Sequence, residues 1–481
     1  MSLNELVHMT CREQGTLIES RKISPVDLVQ ASLDRIDRYD RKLNAWISVD
    51  PERALKQARQ AEADICAGRY RGPLHGIPYG VKDQMHALGF PTTLGTKVLR
   101  EDEMVPPHDS TVVRKLADAG SVLLGKQNQH EWGKGSTIEF PYGLPRNPWH
   151  PDYDASSSST GSGIAPAAGQ CSFSIGEDTG GSIRGPSSCN GIAGLRPTFG
   201  RISRHGGVMA GYTSDTFGPM ARSVEDLALV LEAVAGHDPL DRLSSPRPVP
   251  RYSQGLDGDL RGMRLAVVRE IAYGDIDAEV LETFENAVSV LRDAGATIEE
   301  ISLPLARHAV ALQMLTTDAD VASWFLANFL KDRYELFDQG TRTRLVASSL
   351  IPATVYHRAM RARTIVREEV LDAMRRYDAL LTPTDVFPPR LVDAARERIS
   401  SREDVLPKLI RRRIAYYPFS LSNVPAMAIP SGFSSKGLPL SLQIASRPFG
   451  EPTVLKIGHA FQQHTQWHRQ HPDMNRTLAH L

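Results

Sequence analysis

Cysteine is scarce: only Cys11, Cys66, Cys171 and Cys189 occur in 481 residues, and no two form a CxxC pair. That excludes a disulfide framework and fits reduced thiols in a cytosolic chain. Charge of either sign is not in excess. Lys+Arg and Asp+Glu both number 56, so the formal net charge is zero and no global basic field exists to hold nucleic acid. Long apolar runs are missing too. None approaches the roughly 18 residues of a membrane span, and the opening MSLNELVHMTCREQ is polar where a signal peptide is apolar. These absences predict a soluble, cytoplasmic protein with neither a nucleic-acid nor a membrane partner.

Cofactor motifs are absent as well. TGSGIA (160–165) has neither the G-x-x-x-x-G-K-[ST] nor the G-x-G-x-x-G spacing of a phosphate cradle. HTQWH places His464 and His468 four apart but lacks the glutamate of HExxH, and it reads as a surface helix. No metal and no cofactor is expected. The run Arg411, Arg412, Arg413 points three ways on a helix and reads as solvated surface, with a phosphate or carboxylate contact as the alternative.

What is present is globular grammar. The first 70 residues read as a helical layer. Ser24 is an N-cap, Pro25 the first helical residue and Asp27 the capping-box acid, followed by the stripe Val29, Leu33, Ile36. From residue 71 short strands and helices alternate: GIPYGVKD, STVVRKLADAG, SVLLG. Late strands are expected at YDALLTPT, VPAMAIPSG and LPLSLQIAS. The prediction is an α/β fold, a large mixed β-sheet covered by helices. We expect one domain over 1–481, with a helical layer (1–70) and a catalytic core (71–220).

Within that core, EDTGGSIRGP (177–186) bares the backbone around one hydroxyl. Glycines are costly where nothing approaches them closely, so Gly180 and Gly181 mark a close approach ending at Ser182. The amides of Thr179, Gly180, Gly181 and Ser182 can face one concavity, as an oxyanion requires. A serine nucleophile also needs a base, and the G-x-S-x-G elbow is absent. Two further pieces supply it: the serine run DASSSSTGSG, with Ser158, and Lys82 at the end of GIPYGVKD. Lysine serves as a base when burial keeps it neutral.

Lys82, Ser158 and Ser182 in this order resemble the amidase signature family. The resemblance continues through AGSVLLGKQN, RNPW, GEDTGGSIRGPSSCNGIAGLRPTFGRIS, TFGPMARSVEDLALVL, DALLTPT, NVPAMAIPSG and GLPLSLQI, from about residue 24 to about 470. It implies an amidase acting on a carboxylic amide through a Ser-Ser-Lys relay and an acyl-enzyme, releasing acid and ammonia or amine. Lys82 is then the base and Ser158 the bridging serine with a cis peptide bond. Ser182 is the nucleophile, and Thr179 to Ser182 form the oxyanion hole. Asp178, Arg184 and Ser159 support the loop, and His130 is a substrate-contact candidate. A small-molecule amide is the expected partner, and a homodimer is compatible.

One departure stands out: the serine loop reads SSSSTGS where the family commonly has glycines, so Ser156, Ser157 and Thr160 are expected to restrict the backbone and narrow the pocket rim. The pocket itself falls in the variable stretches 130–145, 310–360 and 385–420, where Phe325, Phe329, Tyr356 and Tyr416 hint at aromatic walls, although core packing is the better reading for most of them. Two alternatives accompany the amidase reading: a glutaminase A-type subunit of a tRNA amidotransferase, and a catalytically inactive binding protein. The first is disfavoured because MLTTDADVASWFLANFL lacks an EASSNLARYDG-like run. The second is disfavoured because all three relay residues are present.

Overall fold

The computed structural model describes residues 3–135, 140–325, 328–329, 331–392, 401 and 403–479. Parts of the three variable stretches (136–139, 326–327, 330, 393–400 and 402) lie outside the described residues. Among the described residues, eleven strands form one sheet. In chain order they are β1 (Trp46–Val49), β2 (Pro78–Lys82), β3 (Val122–Gln127), β4 (Phe173–Asp178), β5 (Ala193–Arg196) and β6 (Thr216–Ala221). There follow β7 (Arg264–Val268), β8 (Thr297–Ile301), β9 (Ala379–Pro383), β10 (Ala426–Phe433) and β11 (Pro439–Ala445). The sheet order is β1-β3-β2-β4-β6-β5-β10-β11-β9-β7-β8. It is mixed: β2 runs parallel to β3 and β4, and β7 parallel to β8 and β9, while the other pairs are antiparallel.

The helix Pro25–Leu43 shows how directly local rules act. Ser24 Oγ accepts from Val26 N–H at 2.9 Å, and Asp27 returns the bond to the Ser24 amide. A cap of this kind contributes about 1 kcal/mol. Its stripe of Val29, Leu33 and Ile36 is buried against Leu124 and Ile164 of the core. The layer is not wholly helical. β1 was not predicted; its four residues pair antiparallel with β3, and Asp40 accepts from the Ala45 and Trp46 amides at its start. A four-residue edge strand is too short to show an alternating pattern.

The central strands β2, β3 and β4 are buried along their whole length, including the polar residues at their carboxyl ends. Tyr79 of β2 stacks on Phe173 of β4 with ring centroids 5.2 Å apart. The register Tyr79↔Phe173, Gly80↔Ser174, Val81↔Ile175 sets the carboxyl ends of these parallel strands side by side. Ligand crevices in α/β sheets lie outside such ends. Among the described residues, no helix is long and apolar enough to cross a membrane.

Candidate active site

Lys82, the last residue of β2, is fully buried. Its Nζ donates to Ser158 Oγ at 2.7 Å and to Glu177 Oε2, near the end of β4, at 2.8 Å. Sequence reasoning placed Lys82 in an apolar setting, but the structure gives it a buried carboxylate. Glu177 was missed; its signal was the doubled acid in GED, of which only Asp178 received a role. Thr179 Oγ1 lies 2.7 Å from Glu177 Oε1 and 2.7 Å from Asp215 Oδ1, which extends the polar chain inward. Burial and the Glu177 charge raise the Asp215 carboxyl to about 6.

The serine loop is fastened from both sides. The Ser157–Ser158 peptide is cis. Ser159 Oγ donates to the Glu177 carbonyl at 3.0 Å and accepts from the Glu177 amide at 3.1 Å, and its own amide donates to the Ser182 carbonyl at 3.3 Å. Those bonds bring the two serine loops together, although the Ser158 and Ser182 hydroxyls are not hydrogen-bonded to each other. Catalytic hydrogen bonds are often loose before substrate arrives. The three substituted positions separate in the structure. Ser157 faces the cavity, whereas Thr160 is buried and its hydroxyl donates to the Ser156 carbonyl at 2.9 Å. Thr160 therefore shapes the loop from within and does not narrow the rim.

The glycine loop depends on Asp178. Its carboxylate accepts from the Gly181 amide at 2.7 Å and the Ile183 amide at 3.2 Å, and pairs with Arg184 at 3.0 Å and Arg196 at 3.3 Å. Burial alone would raise this carboxyl, but the two guanidinium groups outweigh it and hold the group far below the usual carboxylate range. Arg184 also donates to Gln443 Oε1 at 2.7 Å and Ser420 Oγ at 2.6 Å, tying the loop to β11. The Gly181 amide is thus occupied. Among the described residues the amides of Thr179, Gly180 and Ser182 have no acceptor.

Behind the loop stand two rings. A Cβ on Gly180 would meet Tyr417 Cε1 at 2.5 Å, and one on Gly181 would meet Tyr416 Cγ at 2.6 Å. Gly181 also has φ of 109°, which side chains rarely adopt. Tyr416 is therefore backing for the loop. Phe325 and Phe329 pack with Trp132 in a separate apolar cluster.

Ser182 opens onto a narrow cavity of about 60 Å³. His130, Lys134, Ser157, Gln313, Arg344 and Arg413 are among the residues that line it. His130 is buried, which lowers its imidazole to about 3 and keeps it neutral. Asp318 pairs with Arg344 at 2.7 Å and with Lys134 at 3.5 Å. A larger groove of about 830 Å³, between Phe387–Leu391 and Pro407–Arg412, contains none of the relay residues. Chemistry, not size, identifies the smaller cavity as the candidate site.

A mixed eleven-stranded sheet that seats a buried lysine, a cis-linked serine and a glycine-backed serine at the ends of parallel strands defines an amidase-type architecture. The family model described as Amidase matches residues 27–455, and the chain belongs to this amidase signature family. It is 37% identical over 490 residues to the A-type subunit of the glutamyl-tRNA(Gln) amidotransferase from Geobacter metallireducens, covering 97% of this chain and 99% of that one. Among solved structures it resembles the native peptide amidase of Stenotrophomonas maltophilia, with 29% identity, TM-score 0.84, and 97% and 99% of the two chains covered. The corresponding glutamyl-tRNA(Gln) amidotransferase chain from Thermotoga maritima matches with 28% identity, TM-score 0.77, and 96% and 94% covered.

Proposed function

We propose that the chain cleaves an amide C–N bond through an acyl-enzyme on Ser182. The observation that carries this reading is the 2.7 Å contact between Lys82 and Ser158, buried beside a half-buried Ser182 at the cavity. In this reading neutral Lys82 takes the Ser158 proton as Ser158 takes that of Ser182, and Ser182 attacks the carbonyl carbon. The unoccupied amides of Thr179, Gly180 and Ser182 receive the oxyanion. The relay then reverses to protonate the leaving nitrogen, and water releases the acid. Glu177 orients Lys82 and balances the ammonium that forms during the step, as a buried carboxylate does for the imidazolium of a serine protease. His130, neutral and at the cavity wall, contacts substrate. The whole chain acts as one domain, since the sheet draws its strands from residues 46–445.

Two physiological settings fit this chemistry: a stand-alone amidase, and the glutaminase component of a tRNA amidotransferase that releases ammonia for a partner. The end-to-end matches to proteins named as components of that amidotransferase favour the second. They outweigh the absence of the EASSNLARYDG-like run, which falls in a variable stretch. Both settings require Ser182. Ser182→Ala should lose amide turnover by about 10⁶-fold and lose labelling by a fluorophosphonate, with the fold intact. Turnover near wild type would remove Ser182 from the mechanism. Ammonia release that appears only with a co-purifying protein would select the amidotransferase setting.

A further inference from the structure

The arginine run at the end of the helix Val405–Arg413 divides between two environments. Arg411 is exposed and pairs with Asp275 at 3.2 Å. Arg413, two residues on, is half-buried and lines the cavity that holds Ser182. Among the described residues three cations line that cavity, Lys134, Arg344 and Arg413, and no carboxylate does. Asp318, adjacent, is already shared by Lys134 and Arg344. Asp338 is engaged by the Thr341 hydroxyl and amide, and Asp215 by Thr179 and the Ala210 and Gly211 amides. Among the described residues, Arg413 has no carboxylate within ion-pair distance; its contact is the Tyr417 ring, 5.8 Å from the centroid. Asp385 and Asp154 feel its charge only from beyond that distance. A guanidinium directed into a partly desolvated cavity without a counter-charge is a receptor for an anion, and its planar fork suits a carboxylate.

We propose that the amide substrate carries a carboxylate, held by Arg413, and no ammonium group. This rests on the amide-hydrolase reading and names its substrate class; because glutamine carries an ammonium, it argues from the cavity for the stand-alone setting, against the setting that the sequence matches favour. A neutral amide would leave Arg413 unpaired in the closed site. A zwitterionic amide would place its ammonium beside three cations, with Asp318 already bound to two of them.

The experiment uses the full chain and compares kcat/KM for ammonia release across three sets of amides. The anionic set is malonamate, succinamate and glutaramate; the neutral set is propionamide and butyramide; the zwitterionic set is asparagine and glutamine. The best anionic amide should exceed both other sets by at least about tenfold, the scale of one close charge pair. Arg413→Gln should collapse that ratio, and Arg413→Lys should keep part of it. Hydrolysis of neutral or zwitterionic amides at equal or higher efficiency overturns the inference alone, as does a ratio unchanged in Arg413→Gln. No hydrolysis of any amide, together with no fluorophosphonate labelling of Ser182, overturns the inference and the reading beneath it.

Discussion

Gly181→Ala is the perturbation that most directly tests the loop around Ser182. At φ of 109° the backbone lies outside the regions open to side chains, and holding a residue there costs about 1–3 kcal/mol. The added methyl would also lie 2.6 Å from Tyr416 Cγ and 2.7 Å from Cδ1, an overpacking that costs about 1–3 kcal/mol. A variant that keeps the native loop should therefore lose about 2–6 kcal/mol of stability. The loop has little freedom to escape, because the Gly181 amide is fixed to Asp178 at 2.7 Å and its carbonyl accepts from Gly185 at 2.8 Å. If it moves instead, the neighbouring amides leave the oxyanion position, and losing one such donor costs about 10²–10³ in turnover. Denaturant unfolding and amide turnover measured together distinguish the two routes. Gly181→Ala/Tyr416→Leu should recover part of the stability, since it relieves the contact and not the dihedral. Wild-type midpoint and turnover in the single variant would refute the account, as would complete recovery in the double.

Lys82→Arg should lose nearly all turnover, because a guanidinium stays charged and cannot accept the Ser158 proton; activity within a few-fold of wild type would exclude the relay. Glu177→Gln should lower kcat by about 10²–10⁴ with little change in KM, by analogy with removing the carboxylate of a serine triad; an unchanged kcat would make the 2.8 Å pair with Lys82 purely structural. Glu131 gives a pH prediction. Burial and the hydrogen bond with Asp338 raise its carboxyl from 4.5 to about 8. The folded state thus keeps a proton that the unfolded chain has released, so this group's contribution to stability falls as pH rises from about 4.5 to about 8 and then levels off. Unfolding measured across that range should be flatter in Glu131→Gln, and an unchanged slope would count against the shared proton.

Much of the fold was legible because its signals are local. The box at Ser24 and Asp27 and the strand ending at Lys82 each reflect neighbours within a few residues, and each appears where the sequence places it. β1 escaped because its partner, β3, is some 80 residues away and its four residues carry no period of their own. Which of Ser157 and Thr160 faces the cavity and which braces the loop was not legible for a related reason. A hydroxyl in a serine-rich run has the same appearance whether it faces a cavity or bonds the Ser156 carbonyl.

The electrostatics of the site follow from strand register, which no local pattern encodes. Lys82 and Glu177 are 95 residues apart in the chain and meet because β2 and β4 run parallel in a register that aligns Val81 with Ile175. A shift of one residue would turn every side chain of β2 to the other face, taking Lys82 away from Ser158 and stranding a buried charge. Breaking one half of a buried pair costs about 3–5 kcal/mol, so the same contact that readies the lysine also penalises the wrong register. The Tyr79–Phe173 stack, three residues upstream of Lys82 on β2, opposes that slip through packing. Fold specificity and the placing of Lys82, the proposed base, thus rest on one strand pair, and disrupting Phe173 should affect both.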